Sequence, residues 1–217
     1  MATILVINPN SNPEVTAGLD RALDPFRLPG GPAIRCVQLD AGPFGIESEA
    51  DVAAVGPLLV ERVRSEPAAA FVIACYSDPG LAACREATPA PVFGIQESAV
   101  ATALTRADRF GVVAILARSI ERHRRALRQM GVLERLAGER ALELRVHELA
   151  EEATTWQRLV EVGRALVAED GAGAVILGCA GMARYRRRLE AELGVPVIDP
   201  TQAAVGLALA ALFAARS

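Results

Sequence analysis

Aromatic residues are scarce in this 217-residue chain, 4% of the total with a single Trp. Its core must therefore be aliphatic, and a 52% hydrophobic content supplies it from Ala, Val, Leu and Ile. There are only two histidines, His123 and His147, and four cysteines, Cys36, Cys75, Cys84 and Cys179. No two cysteines stand as CxxC, which argues against zinc, and four in a chain of this length do not make a disulfide scaffold. A net charge of −3 gives no electrostatic footprint for nucleic acid. Arginines do cluster at Arg122, Arg124, Arg125 and Arg128, and again at Arg184 and Arg186–Arg188. Without interleaved aromatics these read as solvated helix faces. No basic segment or cleavage site follows Met1, and the one long apolar run near the end, 203–215, is too short for a membrane span. There is no GxSxG elbow, Walker A loop or GxGxxG opening a helix, and the glycines of GAGAVILG (171–178) precede their strand. The expectations are no nucleotide cofactor, no metal, no nucleic-acid or membrane partner, and a cytoplasmic protein.

What is present is a regular alternation. Strands are expected at Thr3–Asn8, Ala33–Leu39, Ala69–Ala74, Val92–Gly94, Phe110–Ile115, Leu142–Val146, Ala174–Leu177 and Val195–Ile198. Helices are expected at Pro13–Ala22, Glu49–Ser65, Ser98–Thr105, Ser119–Met130, Thr155–Glu169, Met182–Leu193 and Thr201–Ala215. Alternation of this kind predicts parallel sheets with helices on both faces, and a ligand crevice beyond the carboxyl ends of the strands.

The chain also repeats itself weakly. FVIACYSDPG (71–80) parallels AVILGCAGMA (174–183), and PVFGIQESAVATAL (91–104) parallels PVIDPTQAAVGLAL (196–209). The two cysteines are 104 residues apart and the two prolines 105, so one register nearly spans both blocks. VINPNS (6–11) sits loosely opposite AILARS (114–119). The fold class expected is α/β, with two pseudo-symmetric lobes, each a parallel-rich sheet flanked by helices, and a cleft between them. Residues 1–105 plus 196–217 would form the first lobe and 106–195 the second.

Cys75 and Cys179 occupy the same place in the two halves, the turn between a strand and a helix. Backbone N–H groups at a helix start favour negative charge, so the expectation is a lowered thiol pKa and a place for an oxyanion. Asp78-Pro79 reads as an N-cap and first-turn pair, starting a helix just after Cys75. Gly178 and Gly181 bracket Cys179 and Ala180 and let backbone approach a ligand. Cys36 and Cys84 lie inside a strand and a helix pattern and read as small buried hydrophobes. Asn10 and Ser11 of NPNSN are candidates for substrate contact as well as helix capping. The loop AGPFGIES (41–48) could close over the cleft. Glu97 reads as structural, and His123 and His147 lack the repeated context of the cysteines.

NPNSN, GPFGIES, ACYSDPG, GIQES and LGCAGM together make the chain resemble, over nearly its full length, the aspartate/glutamate/hydantoin racemase superfamily, in its hydantoin and allantoin branch. The resemblance implies two pseudo-symmetric lobes and cofactor-independent racemisation in which Cys75 and Cys179 act as two bases on a 5-substituted hydantoin or allantoin. It also implies that Ser77, Asp78, Ala180 and Gly181, with Asn10 and Ser11, hold the ring. Relatives often carry threonines in the segment matching Val113–Leu116, where this chain has none and Ser119 is the nearest hydroxyl. Tyr76 also departs from the pattern. A racemase of free acidic amino acids is one alternative, and a ligand-binding or thiol redox-sensing protein without turnover is another. The substrate would be a small molecule and the assembly a homo-oligomer; the alanine-rich last helix and Leu58, Leu59 and Val63 would suit an interface or a core.

Overall fold

The computed structural model describes residues 2–215. Residues 1, 216 and 217, counted above with the first lobe, lie outside the described residues. The first half runs β1 (Thr3–Asn8), α1 (Pro13–Ala22), β2 (Ala33–Gln38), α2 (Glu49–Ser65), β3 (Ala70–Ile73), α3 (Leu81–Ala87), β4 (Val92–Gly94) and α4 (Ile95–Leu104). The second half repeats that order with β5 (Phe110–Ala114), α5 (Ile120–Gln129), β6 (Leu136–Ala141), α6 (Glu152–Ala168), β7 (Ala174–Leu177), α7 (Arg186–Leu193), β8 (Val197–Ile198) and α8 (Pro200–Ala214). Each half builds a four-stranded parallel sheet, β2-β1-β3-β4 and β6-β5-β7-β8.

Alternation of side chains along each strand gives every sheet two apolar faces. Ile4 and Val6 of β1 pack with α1 and α8, while Leu5 and Ile7 pack against α2 and α3. In β7, Ala174 and Ile176 face α4 and α5, and Val175 and Leu177 face α6 and α7. The last helices of the halves are therefore exchanged: α4 lies against β7 and β8, α8 against β3 and β4, and the two helices pack on each other. β8 pairs with β7 in the second sheet, because its crossover through α7 leads to the neighbouring position, although 196–217 were expected with the first lobe. That exchange ties the halves into one body and fixes the cleft between them.

Two local expectations are corrected. The strand expected at Leu142–Val146 lies earlier, at Leu136–Ala141. LAGERA hides its strand character because Glu139 turns inward and Arg140 pairs with Asp170 and Glu169 outside, while Leu142 is buried from a loop and Val146 from the start of a 3-10 turn. The helix expected directly after Cys75 begins only at Leu81, behind Gly80 in the left-handed region (φ 65°). After Cys179 comes a 3-10 turn, Ala180–Tyr185, before α7.

Candidate active site

Loops at the carboxyl ends of β1, β2, β3, β5 and β7 meet around a cavity of about 40 Å³ that both Cys75 and Cys179 line. Equivalent segments of the two halves line it: Ala74–Ser77 and Gly178–Gly181, Val15 of α1 and His123 of α5, and Ile46 and Val146. The loop of residues 41–48 closes one side, as its glycines and proline suggested. Glu47 accepts from the Val146 backbone N–H (3.2 Å) and pairs with Arg118 (3.0 Å), while the Ser11 N–H donates to the Pro43 carbonyl (3.0 Å). A loop of the first half is thus bonded to the second.

The two cysteines are half-buried and unbridged, and near enough for the charge of one to oppose ionisation of the other. The expectation of lowered thiol pKa values is corrected. Burial pushes Cys75 up to about 11, although the backbone N–H and hydroxyl of Ser77 and the Arg122 guanidinium favour its thiolate. Burial likewise pushes Cys179 up to about 12, opposed by the Gly181 N–H and reinforced by Cys75, Glu47 and Asp199. Neither cysteine sits on the first turn of an α-helix, so desolvation in the mostly apolar cleft outweighs the few N–H groups. Cys36 is also raised, to about 12, and Cys84 is fully buried; both stay outside the cavity.

Asp78 caps a helix, but not the one expected. It has a left-handed backbone (φ 42°), and its carboxylate accepts from the N–H groups of Gln96 (2.9 Å) and Glu97 (3.0 Å) at the start of α4. Gly94 makes room, since a Cβ there would lie 2.3 Å from the Asp78 carboxylate. In the other half the corresponding position is Asp199, which caps α8 itself by accepting from the Gln202 N–H (2.7 Å). Each half thus puts a carboxylate at the same helix start, once from the cysteine turn and once from the strand end. Burial raises both acids, Asp78 to about 7 and Asp199 to about 6.

Two residues of the cavity wall were discounted on sequence grounds. Arg122 was read as part of a solvated face, yet it is buried, lines the cavity and donates from Nε to the Ser77 hydroxyl (2.9 Å). His123 beside it is buried, with Nδ1 2.5 Å from the Glu139 carboxylate and its ring edge-on to Tyr76 at 5.0 Å. Among the described residues, the Tyr76 hydroxyl and Glu139 Oε2 have no hydrogen-bond partner, and nearby Glu139 adds to the burial that raises Tyr76. The signal for His123 was in the sequence: the register matching Ser11 with Ser119 also matches Val15 with His123.

A family model described as Asp/Glu/Hydantoin racemase matches residues 4–208. The chain belongs to the Asp/Glu/hydantoin racemase family. This places it among the isomerases. It is 39% identical to a hydantoin racemase of Paenarthrobacter aurescens over 210 residues, covering 94% of this chain and 89% of that protein. The allantoin racemase structure from Klebsiella pneumoniae superposes with a TM-score of 0.93 at 35% identity, over 99% of this chain and 89% of that one. A second allantoin racemase structure, from Pseudomonas fluorescens, gives 0.91 at 28% identity, over 98% and 92%. Within this racemase fold the cavity gathers Asn10, Cys75, Ser77, Cys179, Ala180 and Gly181. Ser11 and Asp78 are not in its wall: the backbone of Ser11 holds the 41–48 loop and Asp78 holds α4. Asn10 Oδ1 is engaged by Asn8 Nδ2 and the Asn12 N–H, each at 2.9 Å. Glu97 is structural, accepting from the Gly94 N–H and pairing with Arg85. No helix of the described residues is long and apolar enough to cross a membrane.

Proposed function

We propose that this protein racemises 5-substituted hydantoins or allantoin without a cofactor, with Cys75 and Cys179 as the two acid/base groups. The observation that carries the reading is the pair of thiols at equivalent turns of the two halves, lining one cavity. The names of the similar hydantoin and allantoin racemases support the substrate class.

In each turnover one cysteine begins as thiolate and the other as thiol. The thiolate takes the proton from the stereogenic carbon; the C–H bond breaks, an S–H bond forms, and the electron pair moves onto the adjacent carbonyl oxygen as an enolate. The opposite thiol then gives its proton to the other face of the carbon, the carbonyl re-forms, and the two sulfurs have exchanged protonation states. The raised thiol pKa values suit this work: a thiolate held in a desolvated cleft is a strong base for a weak carbon acid. Asn10, Ser77 and Arg122 on one side and the Ala180-Gly181 backbone on the other bind the ring and its developing oxyanion. Ser11 and Asp78 contribute indirectly, through the loop and the helix they hold. The proposal includes a cytoplasmic homo-oligomer; the four unbridged cysteines suit a reducing compartment, and Leu207, exposed on α8, suits self-association.

A panel of optically pure hydantoins, allantoin, aspartate and glutamate, followed by polarimetry and chiral chromatography, tests the substrate class. Racemisation of hydantoins or allantoin alone is the expected outcome. Turnover of aspartate or glutamate instead would replace it with an amino-acid racemase. No turnover, with reversible loss of two thiols on mild oxidation, would replace it with a redox sensor.

A further inference from the structure

The two sides of the thiol cavity are equivalent in backbone but not in bulk. Beside Cys75 stand Tyr76 and Ser77, backed by Arg122 and His123 of α5. At the equivalent positions beside Cys179 stand Ala180 and Gly181, backed by Val15 of α1, with Glu14 exposed where Arg122 is buried. On the Cys75 side the bulky, hydrogen-bonding groups close the wall. On the Cys179 side, where they are missing, a groove of about 610 Å³ opens between α1, the 3-10 turn at Val146–Ala150 and the 3-10 turn after Cys179.

That groove adjoins the thiol cavity, since Val15, Val146, Ala180 and Gly181 border both. A Cβ on Gly181 would lie 3.1 Å from Leu149 Cδ1 in the groove and 3.8 Å from the Cys179 sulfur in the cavity. The missing side chain at Gly181 is thus the boundary between them. The groove floor is apolar and small-residued: Val15, Gly18, Val146, Leu149 and Ala183. Asn12 is a buried polar residue in the same lining, and Glu14, Arg21, His147 and Arg184 border the groove from exposed positions. Arg184 also builds the outer wall, donating to the Leu149 carbonyl (2.8 Å) and to the Tyr185 hydroxyl (2.5 Å).

From this asymmetry we infer that the α1 groove is the subsite for the substituent on the reacting carbon and selects bulky apolar substituents, branched alkyl or arylmethyl. The inference rests on the hydantoin racemase reading above. A cavity of about 40 Å³ holds about three waters, so it has no space for such a substituent. The polar edge of the ring then faces Ser77, Arg122 and His123, and its substituent passes Gly181 and Val146 into the groove.

The test compares kcat/KM for 5-benzyl-, 5-isobutyl- and 5-methylhydantoin and allantoin in the full-length protein, Gly18→Leu and Ala22→Leu. A Cβ on Gly18 meets nothing within 4 Å, so a leucine there extends into the groove without backbone strain. Ala22 lines the same groove one helical turn further on and serves as an independent filling variant. The expected result is a kcat/KM for the benzyl and isobutyl substrates at least tenfold above the methyl one. That ratio should fall at least tenfold in both variants. Turnover of hydantoins with equal kcat/KM across the series, or ratios unchanged in both variants, would overturn the groove while leaving the racemase reading intact. Turnover of allantoin alone would overturn the groove's selectivity while leaving the racemase reading intact, and turnover of none of the four substrates would overturn both.

Discussion

Gly94→Ala should be among the most damaging single-methyl insertions in this protein. The added Cβ would fall 2.3 Å from Asp78 Oδ2, and its three nearest atoms all belong to the Asp78 carboxyl group. Only displacement of Asp78 relieves the clash, and displacement breaks the bonds from the Gln96 and Glu97 N–H groups. Bonds to a charged partner contribute about 1.5–3 kcal/mol each, so the expected cost is about 3–5 kcal/mol, a large part of the stability of a domain. The cysteine turn moves with Asp78, and racemase activity should fall with stability. In an Asp78→Ala background the clash is gone. Gly94 has φ −83° and ψ 142°, open to alanine, so the same methyl should be neutral or stabilise by about 0.5 kcal/mol through the unfolded chain. Urea unfolding of the wild type, both single variants and the double variant gives the coupling energy. A value near 3–5 kcal/mol is expected, and a value under about 1 kcal/mol would refute this account of how the Cys75 turn is fixed. Asp78 also sets a pH dependence. Its folded pKa of about 7 lies above the ordinary value of 3.8, so its contribution to stability is full below 3.8 and is lost as pH rises through 7. Asp78→Asn should flatten the stability profile across that window.

Alkylation by iodoacetamide should be slow at both candidate bases. With Cys75 raised from 9.0 to about 11, its thiolate fraction near pH 8 is about 100-fold below that of a free thiol, and peptide mass spectrometry should show labelling slowed to match. Labelling of the unliganded protein at the rate of free cysteine would contradict the burial argument. Glu139→Ala, which leaves His123 without its partner, should cost about 2–4 kcal/mol in urea unfolding, and Glu139→Gln clearly less. Equal effects of the two substitutions would show that the His123 bond adds nothing.

Much of the architecture was legible where the pattern was local. α1 and α2 begin and end where their caps predict: Asn12 accepts from the Glu14 N–H and precedes Pro13, and Ser48 forms a capping box with Asp51. β1, β4 and β7 were bounded correctly by their apolar runs. The internal repeat led to the paired thiols because both turns share one strand–cysteine pattern. What escaped depended on long-range contacts. Glu139 and Arg140 make β6 look polar until Asp170 and His123 are seen beside them. Asp78-Pro79 has the composition of a cap, but which helix it caps depends on Gly94 lying alongside. Arg122 and His123 sit in an arginine-rich helix whose composition signals solvent, and only the packing of α5 on the Cys75 turn turns that face inward. The direction of the thiol pKa shifts escaped for the same reason, since burial is a property of the cleft rather than of the turn.

The central claim is that Cys75 and Cys179 carry protons on opposite faces of one carbon. It is tested most directly by racemisation of a single hydantoin enantiomer in heavy water, with mass and chirality read together. The account predicts that product of inverted configuration carries deuterium while unreacted starting enantiomer keeps its hydrogen early in the reaction, and that Cys75→Ala and Cys179→Ala each abolish racemisation. Exchange and racemisation persisting above the spontaneous rate with both cysteines replaced would contradict it.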